Sequence, residues 1–529
     1  MRYTWLAKPA SAGLIAVACI ALMGAGGKGK PVDDSPVPFT VPKATCGPND
    51  HPETGLQGQV PAALRATGFQ GFNCNLELIG QYKGDGASWQ HAFIQDNAGH
   101  KCNYYDTSIN TANRTALGTV VLDVSQPTNP HPTSYLTTQS MLDPWESLKV
   151  NERRQLLGAE YSVNGKGTGQ LDIYDLSGDC RNPQLLSSVL TGSAQNGDAS
   201  ALPEGQILAG HEGNFSPDGL TWYSGDRGTP KKYTATDVTD ATHPKLLGTW
   251  TLPQLTPTTV TTHGLTISDN GMRAYVSQAG ILGSNVDLLT AEPANGLLIL
   301  DVSDFQKRLP NPQFRLVGQL LWRDGGQMQH PILIKIKGKP YVVAVDESGP
   351  GGLNPAGWQA ACNAGVPVFN MARIIDIGDE TSPMLVSRLM LETHDPMNCD
   401  KVLPDLAGLS SFTYGSHYCS VDNRHNATTL ACGYFNSGIR VFDIRDPRRP
   451  KEIAYFNPPG TTTASPGSNH NRPGGWVAGG PDWCNAQIRL NAETASLQTT
   501  CQDNGFLSLR FTNGVWPFPG SSTPPGAQN

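Results

Sequence analysis

Gly296-Leu297-Leu298-Ile299-Leu300-Asp301-Val302-Ser303-Asp304 is a β-rich run that ends in Asp and passes into a short polar turn. The same phrase recurs as LDVSQP at Leu122–Pro127, YDLS at Tyr174–Ser177, TDVTD at Thr236–Asp240, IDIGD at Ile375–Asp379 and FDIRDP at Phe442–Pro447. Its anchoring aspartates, Asp123, Asp175, Asp237, Asp301, Asp376 and Asp443, stand 52, 62, 64, 75 and 67 residues apart. A period of this size built on strands marks a repeat architecture such as a β-propeller. An Asp ahead of a Ser-, Thr- or Gly-containing turn accepts backbone N–H groups and holds the strand exit. The aspartates therefore read as structural.

The phrase marks the third strand of each blade, and the other strands fall around it. In blade 4, Thr261–Ser268 leads through Asp269-Asn270-Gly271 into Met272–Ser277, then Gly296–Asp301 and Phe314–Leu320. Near the C-terminus, Gly505–Phe511 has the form of a third strand with no fourth behind it, while Asn75–Gln81 has the form of a fourth strand with no first three before it. Joining the two closes the ring and removes a free sheet edge. The expected fold is all-β, a seven-bladed β-propeller closed by an N-terminal strand in the last blade. The expected division is a signal peptide at 1–26, a linker and irregular cap at 27–72, the propeller at 73–515 and a flexible tail at 516–529.

Leu298–Asp304 and Ile439–Pro447 resemble the LVIVD repeat of bacterial extracytoplasmic β-propellers, a resemblance spanning roughly Asn73–Phe511. It implies the fold and export but says little about activity. The long inter-blade insertions and the final blade, which lacks the Asp phrase, depart from the pattern.

Export is also read from the residues. Arg2 and Lys8 precede an apolar core at Leu14–Met23 that ends in Gly24-Ala25-Gly26-Gly27, the pattern of a secretory signal. Cys19 follows Ala-Val-Ala as in a lipoprotein box, but Ile20–Met23 carry the apolar run past it. No other segment is apolar enough to span a bilayer, so no transmembrane domain is expected after signal removal. Beyond Cys19 the chain has ten cysteines, an even number that implies disulfides in an exported protein. Cys419 with Cys432, Cys484 with Cys501 and Cys46 with Cys74 are close enough in sequence to pair locally. A net charge of −7 with no Lys/Arg block argues against a nucleic-acid partner. No Gly-rich loop, GxSxG or HExxH is present to suggest a nucleotide cofactor or a hydrolase motif.

Histidine carries the chemical signal. Five of the twelve histidines, His91, His211, His263, His330 and His417, open the innermost strand of their blades. Equivalent positions on first strands converge on the pseudo-symmetry axis, and blade 2 places Glu146 there. Convergent imidazoles with a carboxylate suit a transition metal such as Fe, Cu, Mn or Zn. Carotenoid-cleaving oxygenases and copper-dependent methanethiol oxidases are similar in mounting a His-ligated metal on a propeller axis, without a shared sequence motif. Glu212 is a candidate general base, although adjacency to His211 on a strand turns it toward the neighbouring blade. Asp226-Arg227 and Asp346-Glu347, placed after second strands, read as loop charges near the opposite mouth. Two functions follow: a binding or scaffold protein for a protein or small-molecule ligand, and a metal-dependent oxidoreductase acting on a small molecule.

Overall fold

The computed structural model describes residues 32–33, 40–106, 115–162, 170–191, 210–226, 231–252, 260–409, 411–466 and 480–524. The expected signal peptide lies outside them, and no helix among the described residues is long and apolar enough to cross a membrane.

Seven sheets follow one another around a ring, antiparallel except where Val32–Asp33 adds in parallel to Arg315–Trp322 at the edge of blade 4. Their third strands are Thr119–Asp123, Gln170–Asp175, Lys232–Asp237, Asn295–Asp301, Ala372–Asp376, Ile439–Asp443 and Gly505–Phe511, so every repeat phrase falls where the period placed it. Leu76–Tyr82 pairs antiparallel with Gly505–Phe511 and supplies the outer strand of blade 7. The ring is closed as expected, with N-terminal and C-terminal chain in one sheet.

Each repeat aspartate performs the same local task. Asp123, Asp175, Asp237, Asp301, Asp376 and Asp443 each accept the backbone N–H two residues on, at 2.8–3.0 Å. This bond turns the chain out of the third strand toward the fourth. The apolar residues of the phrase fill the spaces between blades. Leu300 and Val302 pack with Tyr223 and Tyr233 of blade 3, while Leu297 and Ile299 pack with Val342 and Ala344 of blade 5. A strand buried on both faces needs no polar alternation, which is why these runs read as continuously apolar. The same packing joins blade 7 to blade 1, through Phe506 against Tyr105 and Val120.

Five disulfides join Cys46–Cys74, Cys102–Cys180, Cys362–Cys399, Cys419–Cys432 and Cys484–Cys501. The three local pairs are as expected; Cys419 and Cys432 are direct cross-strand partners. Five bridges suit an oxidising environment. Residues 40–72 wrap blades 5 and 6, and Phe72–Cys74 adds a fifth strand to blade 6. The terminal segment, read above as a tail, packs in its described part against blades 6 and 7. Trp516 is 2% exposed against Phe511, and Thr428, Asn423 and Ala492 hydrogen-bond Ser521, Ser522 and Thr523.

One buried acid sets a pH dependence for the fold. Glu160, on the second strand of blade 2, accepts a short hydrogen bond from Ser224 of blade 3. Burial pushes its carboxyl from 4.5 up to about 7. Ionising it in the folded state is therefore unfavourable, and its stabilising neutral form is lost as pH rises from about 4.5 to about 7. Glu160→Gln is expected to be more stable than the parent by ~2–3 kcal/mol at pH 8 and equal to it near pH 4. Urea denaturation at the two pH values checks this; a constant difference would refute the assignment.

Candidate metal centre on the propeller axis

Four of the seven first strands break register at the same point. Pairing with the second strand jumps between Gly210 and Glu212 in blade 3, between Thr262 and Leu265 in blade 4, between Met328 and His330 in blade 5, and between Ser416 and Cys419 in blade 6. The residues inside these bulges include His211, His263, Gln329 and His417. A bulge re-aims the side chain it carries, and these four turn onto the axis. Close approach between blades demands a glycine beside His263: a Cβ on Gly264 would strike the Glu212 carboxylate and the Gln329 carbonyl.

Glu146 completes the group from the turn before blade 2. Trp145 adopts a left-handed φ of 52° there, and Ser147 Oγ donates to Pro144 O at 2.6 Å, pinning the turn. Glu146 touches all three imidazoles. Its Oε2 lies 3.0 Å from His211 Nε2 and 3.5 Å from His263 Nε2, and its Oε1 lies 3.0 Å from His417 Nε2. A second carboxylate, Glu347, reaches His263 Nε2 at 3.5 Å and His417 Nε2 at 3.7 Å. The His211 and His263 Nε2 atoms are 3.1 Å apart. Glu146, His211 and His263 form one set with metal-ligand spacing, and Glu146, Glu347 and His417 form another. Both sets are buried and share Glu146.

Outer contacts orient the rings. His263 Nδ1 donates to Glu212 Oε2 at 3.2 Å, and His417 Nδ1 donates to the Asn485 carbonyl at 2.9 Å. Each bond places the ring proton on Nδ1 and aims Nε2 inward, as a metal-ligating imidazole requires. Gln329 Nε2 lies 2.8 Å from His417 Nε2 and 3.4 Å from Glu146 Oε1.

Without an ion, protons bind this group together. Burial would lower the His263 and His417 pKa values, but the hydrogen bonds His263 donates to Glu212 and Glu347, and His417 to Glu146 and Glu347, lift both to about 9. Burial would raise Glu146, but His211 and His417 hold it well below the usual carboxylate range. An entering cation would displace these protons, because a ligating imidazole must be free at Nε2.

Aromatic rings cover the loop side of the centre. Trp89 and Phe435 lie 5.1 and 5.0 Å from His417, and Trp145 lies 6.2 Å from His211, centroid to centroid. With Phe412 and Trp483 they form one apolar cluster.

Of the five aligned histidines, three meet at this point together with Glu146. His91 lies elsewhere: its strand pairs without a bulge, its Nε2 faces the Gln487 carbonyl and its Nδ1 lies 2.8 Å from Asn103 Nδ2. Burial pulls it down to about 4, so it is a neutral, fully bonded ring. His330 sits one residue past its bulge and donates from Nδ1 to Glu212 Oε1 at 2.7 Å, on the opposite side of that carboxylate from His263. Blade 5 thus presents Gln329 to the axis.

Glu212 does face the neighbouring blades. The reading of Asp346-Glu347 and Asp226 as loop charges is corrected: all three are buried in second strands, Asp346 bonded to Arg373 at 2.6 Å and Asp226 beside Lys232 at 3.7 Å, while Arg227 lies outside the described residues. Glu347 is the penultimate residue of the strand Lys339–Ser348, which is longer than the second strands of blades 2, 4, 6 and 7 and carries its side chain up to the axis. That length was the available signal, and the apolar run Tyr341–Val345 ahead of it masks the charge as a strand terminus.

No family model matches the sequence, and no curated protein matches it. Similar solved structures include a proposed 6-phosphogluconolactonase from Bacteroides uniformis ATCC 8492, at 13% identity over 77% of this chain and 92% of that one, with a TM-score of 0.46. Another is a proposed 6-phosphogluconolactonase from Bacteroides fragilis NCTC 9343, at 11% identity over 75% and 91% of the two chains, with a TM-score of 0.40. Nothing about the axial centre follows from either.

Proposed function

We propose that this protein is an exported β-propeller metalloprotein of the LVIVD-repeat kind, binding one first-row transition ion (Fe, Cu, Mn or Zn) through His211, His263 and His417 Nε2 and the carboxylates of Glu146 and Glu347. The observation that carries the reading is Glu146, a buried carboxylate within 3.5 Å of three inward-aimed imidazole nitrogens. Three neutral nitrogens and two carboxylates would neutralise a divalent ion in a dry site, where unpaired charge is costly. The mixed N/O set suits first-row ions more than Mg or Ca.

Elemental analysis of protein purified after export tests it. About one equivalent of metal is expected, lost in the His211→Ala/His263→Ala double variant, since structural and catalytic sites alike need three or more protein ligands. A folded parent without stoichiometric metal would end the proposal.

A second reading, a metal-dependent oxidoreductase acting on a small molecule, is favoured by the donor count. Five protein donors leave one position of a six-coordinate ion for substrate or oxidant. Its mark would be an optical or paramagnetic change of the bound ion on adding a reductant and then oxygen. A bound ion inert to both would leave the binding role alone.

A further inference from the structure

On the side of the centre away from the aromatic cover, the axis opens into a cavity of about 90 Å³ walled by first-strand segments of all seven blades. Its charged and titratable lining consists of Lys149, Arg424, Arg489, His91 and His330, with no Asp or Glu among the lining residues. None of the five groups assigned to the ion lines it. Phe93, Val150, Ile332 and Ile488 supply apolar wall, and Asn214, Thr266, Ser420 and Gln487 add neutral hydrogen-bonding groups.

The cations there are poorly matched by the carboxylates behind them. Arg489 has Glu152 Oε1 at 3.8 Å, beyond hydrogen-bond distance, and lies over the Phe93 ring at 4.4 Å, so its N–H donors are not used by either neighbour. Lys149 Nζ is 3.5 Å from Glu212 Oε1, an oxygen that already accepts from His330 at 2.7 Å. Both side chains are largely buried, 14% and 13% exposed. Burial lowers the pKa of each, with Glu152 and Glu212 only partly opposing it. Desolvated cations with unused donors and no carboxylate in the cavity wall gain most from an anionic guest. Arg424, held by Asp269 at the rim, extends the positive lining toward solvent.

We infer that the axial cavity is a binding site for a small anion, an organic carboxylate or a tetrahedral oxyanion, held by Lys149 and Arg489 and distinct from the metal centre. Glu212 is the partition between the two: it bonds His263 on one side and His330 and Lys149 on the other. The site needs no metal to form, so it stands or falls apart from the proposed ion.

Isothermal titration of the full chain with acetate, pyruvate, phosphate and sulfate tests this, before and after treatment with a chelator. At least one of these anions should bind with Kd in the range of about 1 mM or tighter, and Arg489→Gln and Lys149→Met should each weaken it about 10-fold or more. Retention after chelation is required; the carboxylate pair or the oxyanion pair binding better identifies the guest class. Arg489→Gln keeps hydrogen-bonding capacity and serves if Lys149→Met does not fold. No binding by the parent up to about 10 mM, unchanged affinity in the folded variants, or loss of binding with the metal would each overturn the assignment.

Discussion

Glu146→Gln is expected to weaken metal binding by at least about 100-fold, more than the 10–100-fold typical of losing an outer partner of a ligand. Among the described residues, Glu146 is the one side chain in contact with His211, His263 and His417 together. The amide keeps the shape and removes the charge that would offset a divalent ion. The same substitution leaves His263 and His417 with Glu347 as their shared inner counter-ion. Their pKa values should fall, so the metal-free variant should bind fewer protons at neutral pH than the metal-free parent. Competition with a chromophoric chelator measures the first effect and proton NMR of the imidazoles the second. His91→Ala and His330→Ala are the controls: neither ring contacts a proposed ligand among the described residues, His330 bonding Glu212 and packing edge-on against Tyr418. If His91→Ala strips the ion as completely as Glu146→Gln, the ligand set proposed here is wrong.

The largest expected loss of stability is where the cap meets blade 6. Arg440 is buried between Glu53 at 2.6 Å and Glu452 at 2.8 Å, and lies 4.8 Å over the Tyr455 ring. Burial holds Glu452 above the usual carboxylate range even with Arg440 beside it. Arg440→Met keeps the apolar stem but leaves two carboxylates buried without their cation, a change that costs about 3–5 kcal/mol. The sign of the pH dependence follows. With the guanidinium gone, the folded-state pKa of Glu452 rises further, so the variant is penalised increasingly as pH climbs above the unfolded value of about 4.3. Urea denaturation should therefore show a deficit near the full amount at pH 8 and a smaller one at pH 5. Equal deficits would mean the loss is packing alone. Because Glu53 belongs to the cap, protease cleavage within 40–72 should also accelerate in the variant.

The propeller was legible because its signal is local and repeated. An Asp that accepts a hydrogen bond two residues on needs nothing from the rest of the chain, and six such turns at regular spacing define a ring. The split closing blade was equally visible, as a fourth strand without predecessors and a third without a successor. The metal candidates were half legible. Counting from the repeat aligned His330 with His211, His263 and His417, but the bulge in blade 5 lies at Gln329 and shifts the axis-facing position by one residue.

The chain's own order of residues thus determines the seven blades, their closure and the local disulfides, since hydrogen bonds two residues apart and adjacent-strand pairing depend on short stretches of sequence. Only the tertiary structure decides which groups meet on the axis. A β-bulge is a register slip between two strands, and side-chain direction has period two. One slipped residue therefore exchanges His330 for Gln329, the absence of a slip leaves His91 in the channel wall, and a long second strand delivers Glu347. The five proposed ligands come from blades 3, 4, 5 and 6 and the turn before blade 2, and ring closure is what holds those separate strands around a single point.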